Sequence, residues 1–409
     1  MPPDAPFSFF VALDGGHLDG LIGSAGLLRF DWPSRRLTIR HYPGVSAAHN
    51  ISLSHDGKRG VLGNFSQQVV VVDLRDLSII DRVSTLSLEP TRNRLRSDTH
   101  HLWEDDDKHF IGAVGAKLYR FDADDPRRCE PLGEHHLADA HEIRWDKSHR
   151  WVLMGDLGGE QYQARRVGVF DLQQGAGRTI ELPGTVWHVC VHPERPIGWA
   201  ATYSFELLDR DIGKWAPLYT REYVFEIDLA EARVTRHWSC GAEFPIHLNS
   251  DFFYYKDAAG DEHLVLSSGG SHSVVEIGLR DFADSRVLDV RPPLLTRLLS
   301  GKQGLRNVFE AATKAPLNVR TDEVIETLEV TGGSLFDGVY ATRLSPDQRY
   351  FVVGHRGYNW LALYDRKTLD LVFHVRLPRQ DGYHLGMHHS EIQPMADTGG
   401  AGTSDADSD

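Results

Sequence analysis

Two stretches of this sequence align without a gap, HNISLSHDGKRGVLGN at 49–64 and HEIRWDKSHRWVLMGD at 141–156. Each runs histidine, an alternating apolar segment, a polar turn, a second apolar segment, then glycine and a polar residue. Each is followed by a third strand-like segment ending in an acid, VVVVDL and RVGVFDL, and by a fourth, SIIDRVSTL and GRTIELPG. Four short strands recurring every ~45 residues are one supersecondary unit that cannot bury both of its faces alone, so copies must stack around an axis as propeller blades. Weaker copies start with THHLWEDDDKHF at about 99, WHVCVHPERPIGWAAT at 187, FPIHLNSDFFYYKD at 244 and YATRLSPDQRYFVVGHRG at 340.

The first blade is short of one strand. FSFFVALDG, GLLRFDWPS and RLTIRHYPG supply three, and HHSEIQP at 388–394, which matches the HEIRW pattern, supplies the missing innermost one. Pairing that segment with the first strand removes two sheet edges that would otherwise be open to aggregation. The expected fold is therefore all-β, a seven-bladed β-propeller over residues 7–394 whose ring is closed by the late strand. In its blade repeat the chain resembles the seven-bladed β-propeller superfamily of the broad YVTN/WD-like kind. The Gly-His and Trp-Asp pairs of WD40 repeats are absent.

Two segments interrupt the repeat. Residues 291–333 are too long for a blade connection. Leu294, Leu295, Leu298 and Leu299 fall on one helical face, as do Leu305, Val308 and Phe309, so one or two short helices are expected across one end of the propeller, as a lid or entrance. The bland alternative is that these leucines pack on the propeller face. YSFELLDRDIGKWAPLYTRE at 203–222 reads as a second long connection. The segment 396–409 is acidic and of low complexity, and is expected to be disordered.

The net charge of −14 argues against a nucleic-acid surface, because phosphate binding needs clustered cations. The three cysteines, Cys129, Cys190 and Cys240, have no CxxC spacing, which argues against a disulfide framework and a zinc ribbon. No signal peptide and no transmembrane span are read, so a cytoplasmic location is the default, with peripheral membrane contact through 291–310 as an option. The oligomeric state is not legible. Walker, GxSxG and strand-to-helix GxGxxG motifs are absent.

The remaining signal is histidine. The repeat brings His49, His100 or His101, His141, His188, His247 and His388 or His389 to the starts of innermost strands, and seven-fold geometry points those starts at one mouth of the channel. Imidazoles around one point make a site for Fe, Cu, Ni or Zn. The candidate ligands are His49, His101, His141, His188, His247 and His389, about four of which are expected to bind. Glu142, Glu391 and Glu104 are candidates to orient them. Tyr340, Glu142 and His384 are candidate catalytic groups. Against this stands a ring of structural histidines copied by duplication.

The histidine-lined axis is similar in layout to that of the carotenoid cleavage oxygenases, whose Fe(II) is held on the propeller axis by four histidines with glutamates behind them. That resemblance implies Fe(II) oxygenase or oxidase chemistry; Cu or Mn are alternative metals, and the apolar 291–333 segment as a lid or entrance points to a small apolar or aromatic substrate. The local motifs of that family are not matched here, and this chain is shorter. A second reading is a lyase, isomerase or hydrolase using His and Tyr340 as acid and base, with Arg343, His355 and Arg356 as further candidates. A third is a binding scaffold without chemistry.

Overall fold

The computed structural model describes residues 5–14, 25–45, 48–64, 67–88, 100–158, 164–209, 214–240, 249–269, 272–281, 284–293, 338–356, 358–377 and 386–395, with backbone alone for 203–209, 214–222 and 240. The expected helical insertion from 294 onward, His247, His384 and the acidic segment 396–409 lie outside them.

Seven four-stranded antiparallel sheets make the ring. The innermost strands, in order round the axis, are Met387–Pro394, Ala48–Leu53, His101–Trp103, Ala140–Trp145, Val189–Val191, Asn249–Lys256 and Val339–Leu344. Each packs against the next, and the last returns to the first. We number their blades 1 to 7 in that order. Blade 1 is closed as the repeat requires: Met387–Pro394 pairs with Phe7–Leu13, from Phe7 opposite Pro394 to Leu13 opposite Met387. The described residues contain no α-helix, and no helix long and apolar enough to cross a membrane.

The apolar alternation of the sequence becomes seven cores, one between each pair of adjacent blades. Phe7, Phe9, Val11 and Leu13 of blade 1 meet Tyr350, Val352 and Leu361 of blade 7 in the core that seals the ring. Each such side chain contributes roughly 1.5–3 kcal/mol on burial. Outermost strands face water on one side, so Ile79–Ser84 alternates half-buried and exposed residues.

The polar turns after the innermost strands use one device. Ser345 Oγ accepts the N–H groups of Arg349 (3.1 Å) and Tyr350 (2.9 Å), and Asp146 Oδ1 accepts those of Arg150 (3.1 Å) and Trp151 (2.9 Å). In HDGK, Gly57 takes φ +66°, a conformation open to glycine at little cost. These turns fix the hairpin register and leave the histidine-bearing strand starts at the opposite end of the ring.

The segment 203–222 is not a plain connection. The second and third strands of blade 5 run on as Ile197–Asp209 and Lys214–Asp228, and pair as far as Asp209 opposite Lys214. An apolar–polar alternation interrupted by charges hid that ladder from a reading based on blade length.

Candidate metal centre

A β-bulge builds the site. Near the start of five innermost strands, the pairing with the second strand slips. The slips lie between Ala48 and Asn50, Ala140 and Ile143, Asn249 and Asp251, Val339 and Ala341, and Met387 and Ser390. A bulge inserts residues that the partner strand does not match and re-aims their side chains. The residues caught are His49, His141 with Glu142, Ser250, Tyr340, and His388 with His389. In blades 3 and 5, His100 and His188 immediately precede the innermost strand.

Six imidazoles converge as a result: His49, His100, His141, His188, His388 and His389, each no more than 4% exposed. Ring centroids are 3.8 Å apart for His49 and His388, 4.5 Å for His49 and His141, and 4.5 Å for His188 and His389. They are 5.0 Å apart for His100 and His389, and 5.2 Å for His141 and His188. One ring nitrogen from each of His49, His141 and His389 lies within 4.8 Å of the other two. His49 Nε2 and His141 Nε2 are 2.9 Å apart, so one donates its proton to the other when nothing else is bound. Two imidazole nitrogens bound at right angles, each ~2.0–2.1 Å from one ion, would also be about 2.9 Å apart. The donor set therefore fits a transition metal.

Among the described residues, His100 Nε2, His388 Nδ1 and both ring nitrogens of His389 have no hydrogen-bond partner. A buried polar atom left so costs ~1–3 kcal/mol, which a bound cation would recover. Burial pushes the pKa values of His49, His100, His141, His388 and His389 well below the ordinary histidine range. Neighbouring imidazoles push the same way, because no ring tolerates a proton beside another cation. Neutral rings are the ligating form.

Carboxylates and guanidinium groups lie behind the imidazoles. Glu142 is fully buried, and its Oε2 accepts His188 Nδ1–H (3.1 Å) and the Val189 amide (2.9 Å). Its Oε1 accepts Arg144 Nε–H (2.8 Å). Burial alone would raise the Glu142 pKa, but Arg144 and His188 outweigh it and hold it below the usual carboxylate range. Arg144 reaches Glu391 (3.2 Å), Glu391 reaches Arg343 (3.2 Å), and Arg343 pairs with Asp251. Asp251 lies 3.9 Å from His389 Nδ1 and accepts the Thr342 amide (3.1 Å) and Ser390 Oγ–H (3.3 Å). This lattice joins blades 4, 1, 7 and 6 across the channel. His100 Nδ1 donates to the His141 carbonyl (2.8 Å), which leaves its Nε2 with the lone pair.

The expected residues are placed as follows. His49, His141, His188 and His389 come together. His101 does not join them. It opens a strand opposite Gly112, and its ring packs on Phe110 (5.6 Å between centroids). Consecutive strand residues point to opposite sides, so only one of the HH pair can face the axis, and it is His100. In blade 6 the bulge holds Ser250, and His247 lies outside the described residues. Tyr340 sits in the blade 7 bulge with its ring 4.8 Å from that of His388 and under the Arg356 guanidinium (5.6 Å). Both Glu142 oxygens are committed, Oε2 to His188 and Val189 and Oε1 to Arg144. Of the other arginines considered, Arg343 is occupied by Asp251 and Glu391, and Arg356 is paired with Asp14 (2.9 Å). His355 donates to or accepts at the cluster in no described contact, and its Nε2 lies 2.7 Å from the Val290 carbonyl.

No family model matches the sequence, and no curated protein matches it. Solved structures do match. The dihydro-heme d1 dehydrogenase NirN in complex with DHE has 14% identity and a TM-score of 0.51, over 94% of this chain and 75% of that one. The hydrazine synthase of Kuenenia stuttgartiensis has 15% identity and a TM-score of 0.49, over 79% and 77%. At such identity the likeness to the first is one of fold, and it agrees with the strand order described above: the chain is a seven-bladed β-propeller with a histidine cluster on its axis.

Proposed function

We propose that the axial cluster binds one redox-active transition metal, Fe(II) for preference, and that the protein is a metal-dependent oxygenase or oxidase of a small apolar or aromatic substrate. The observation that carries this reading is the triad His49, His141 and His389, buried, uncharged and mutually within ligand reach. His188 is the fourth ligand in this reading, because Glu142 keeps its proton on Nδ1 and frees Nε2. His100 and His388 line the remaining space. An all-imidazole set suits Fe, Cu, Ni and Zn better than Mg or Ca, which take oxygen ligands.

The metal would supply electron transfer to dioxygen and open positions for it. The protein's own residues do the rest. Glu142 orients His188, and the Arg144–Glu391–Arg343–Asp251 lattice closes the channel behind the cluster. Tyr340, beside His388, presents a hydroxyl that can hold or pass a proton at the substrate. Access is then from the end where the innermost strands begin.

The test loads metal-stripped protein separately with Fe(II), Cu(II), Mn(II) and Zn(II). Oxygen uptake is followed with a panel of small apolar and aromatic compounds. Uptake with a redox metal and none with Zn(II) supports the reading. Substrate turnover with Zn(II) and no oxygen uptake would instead favour a lyase or hydrolase using the His388–Tyr340 pair.

A further inference from the structure

The closing strand of the ring is also part of the candidate metal centre. Met387–Pro394 completes blade 1, and His388 and His389 lie on it. The ligands that the preceding section sets beside His389 come from elsewhere in the chain: His49 from blade 2, His141 from blade 4 and His188 from blade 5. We propose that metal binding and ring closure are one linked equilibrium, in which the bound ion ties the closing strand, through His389, to blades 2, 4 and 5. This rests on the metal reading of the preceding section.

Three observations support the linkage. First, the closing strand is held to the ring by contacts with blades 1, 2, 4, 6 and 7, Gln393 reaching the Gly57 carbonyl of blade 2. It pairs with Phe7–Leu13, buries Met387 in the blade 7–blade 1 core, and places Glu391 on Arg144 and Arg343 and Ser390 on Asp251. Second, its two histidines are buried with His388 Nδ1 and both nitrogens of His389 lacking a described partner, so without metal they oppose closure. Third, the strand is bulged between Met387 and Ser390, where the histidines sit, so ladder hydrogen bonds are missing at that place. The part of the closing strand that pairs least well with its neighbour is the part a metal would hold. A ligand that binds only the closed ring suppresses opening by the factor 1 + [L]/Kd, about 100-fold at 100 times Kd.

The experiment is hydrogen–deuterium exchange by mass spectrometry on the full chain, metal-free and with Co(II), with Co(II) binding followed in parallel by its visible absorption. The expected result is slower exchange in peptides covering 387–394 and 7–13, by about 100-fold at saturating Co(II). In His389→Ala the same peptides should exchange at one rate with and without Co(II). If Co(II) binds and protects peptides around His49 and His141 while 387–394 is unchanged, the linkage is overturned and the metal site stands. If Co(II) does not bind the wild-type protein, the metal reading fails and the linkage with it. Because the wild-type comparison alone decides, the test survives a variant that does not fold.

Discussion

Replacing Glu142 by Gln tests the architecture behind the imidazoles. The carboxylate is fully buried and takes four donors or charges: Arg144 Nε at 2.8 Å, Arg144 Nη2 at 2.7 Å, His188 Nδ1 at 3.1 Å and the Val189 amide at 2.9 Å. An amide has the same shape but only one accepting end. With its oxygen toward Arg144, its NH2 group faces the Val189 N–H and the His188 Nδ1–H. The amide of Val189 cannot move its proton, so it loses its partner. His188 can, by shifting its proton to Nε2. The stability cost has two parts: about 1–3 kcal/mol for the orphaned amide, and part of the 3–5 kcal/mol that breaking a buried ion pair costs, since Glu391 still faces Arg144. We expect a loss of about 3–5 kcal/mol, within the ~5–15 kcal/mol that keeps a domain folded. The proton on His188 Nε2 also blocks that ligand, so Co(II) affinity should fall by 10–100-fold, the usual effect of losing a group that orients a metal-bound histidine. Urea unfolding of the metal-free protein and Co(II) titration read the two effects separately. A Glu142→Gln protein within ~1 kcal/mol of wild type, with unchanged Co(II) affinity, would show that Glu142 neither holds the buried ion pair nor sets the His188 tautomer.

Other consequences are open to measurement. Alanine at His49, His141 or His389 should abolish metal binding while leaving a cooperative unfolding transition. His101→Leu should bind metal normally and be no less stable than wild type, because it removes a buried ring with both nitrogens unpartnered among the described residues. The metal-free protein should lose stability as pH falls below 6.5. His49, His100, His141, His388 and His389 have folded pKa values well below 6.5, so the unfolded chain binds more protons there, at up to about 1.4 kcal/mol per pH unit per ring. Constant stability between pH 7 and 5 would contradict the burial of neutral imidazoles. Gly155→Ala should destabilise by roughly 3 kcal/mol or more and weaken metal binding, because its Cβ would lie 2.0 Å from the Trp187 carbonyl oxygen, next to His188.

The ring was legible because the HNISL and HEIRW segments repeat the same side-chain alternation, and HHSEIQP is a copy lacking its blade. The bulges were not, since a register slip exists only between two strands and neither strand's sequence carries it. That is why Ser250 in the blade 6 position was not legible; the HH pair at 100–101 was ambiguous for a different reason, because the sequence does not mark at which of the two residues the strand begins. The charged lattice escaped for another reason. Arg144 and Glu391 are separated by 247 residues, and Arg343 and Asp251 by 92. The available clue was local: Arg144 and Glu391 stand three and two residues after His141 and His389, charged where an innermost strand should be apolar or small. The strand extension in 203–222 was obscured by the charges within it.

Whether the axial histidines hold a transition metal can be read from the purified protein. The most direct measurement is elemental analysis by ICP-MS of protein purified without a metal-affinity step, on wild type and on the His49→Ala, His141→Ala and His389→Ala variants. Near-stoichiometric Fe, Cu or Mn is expected in wild type, and its loss in each variant. No metal in wild type, with none taken up on anaerobic reconstitution, would contradict the metal reading.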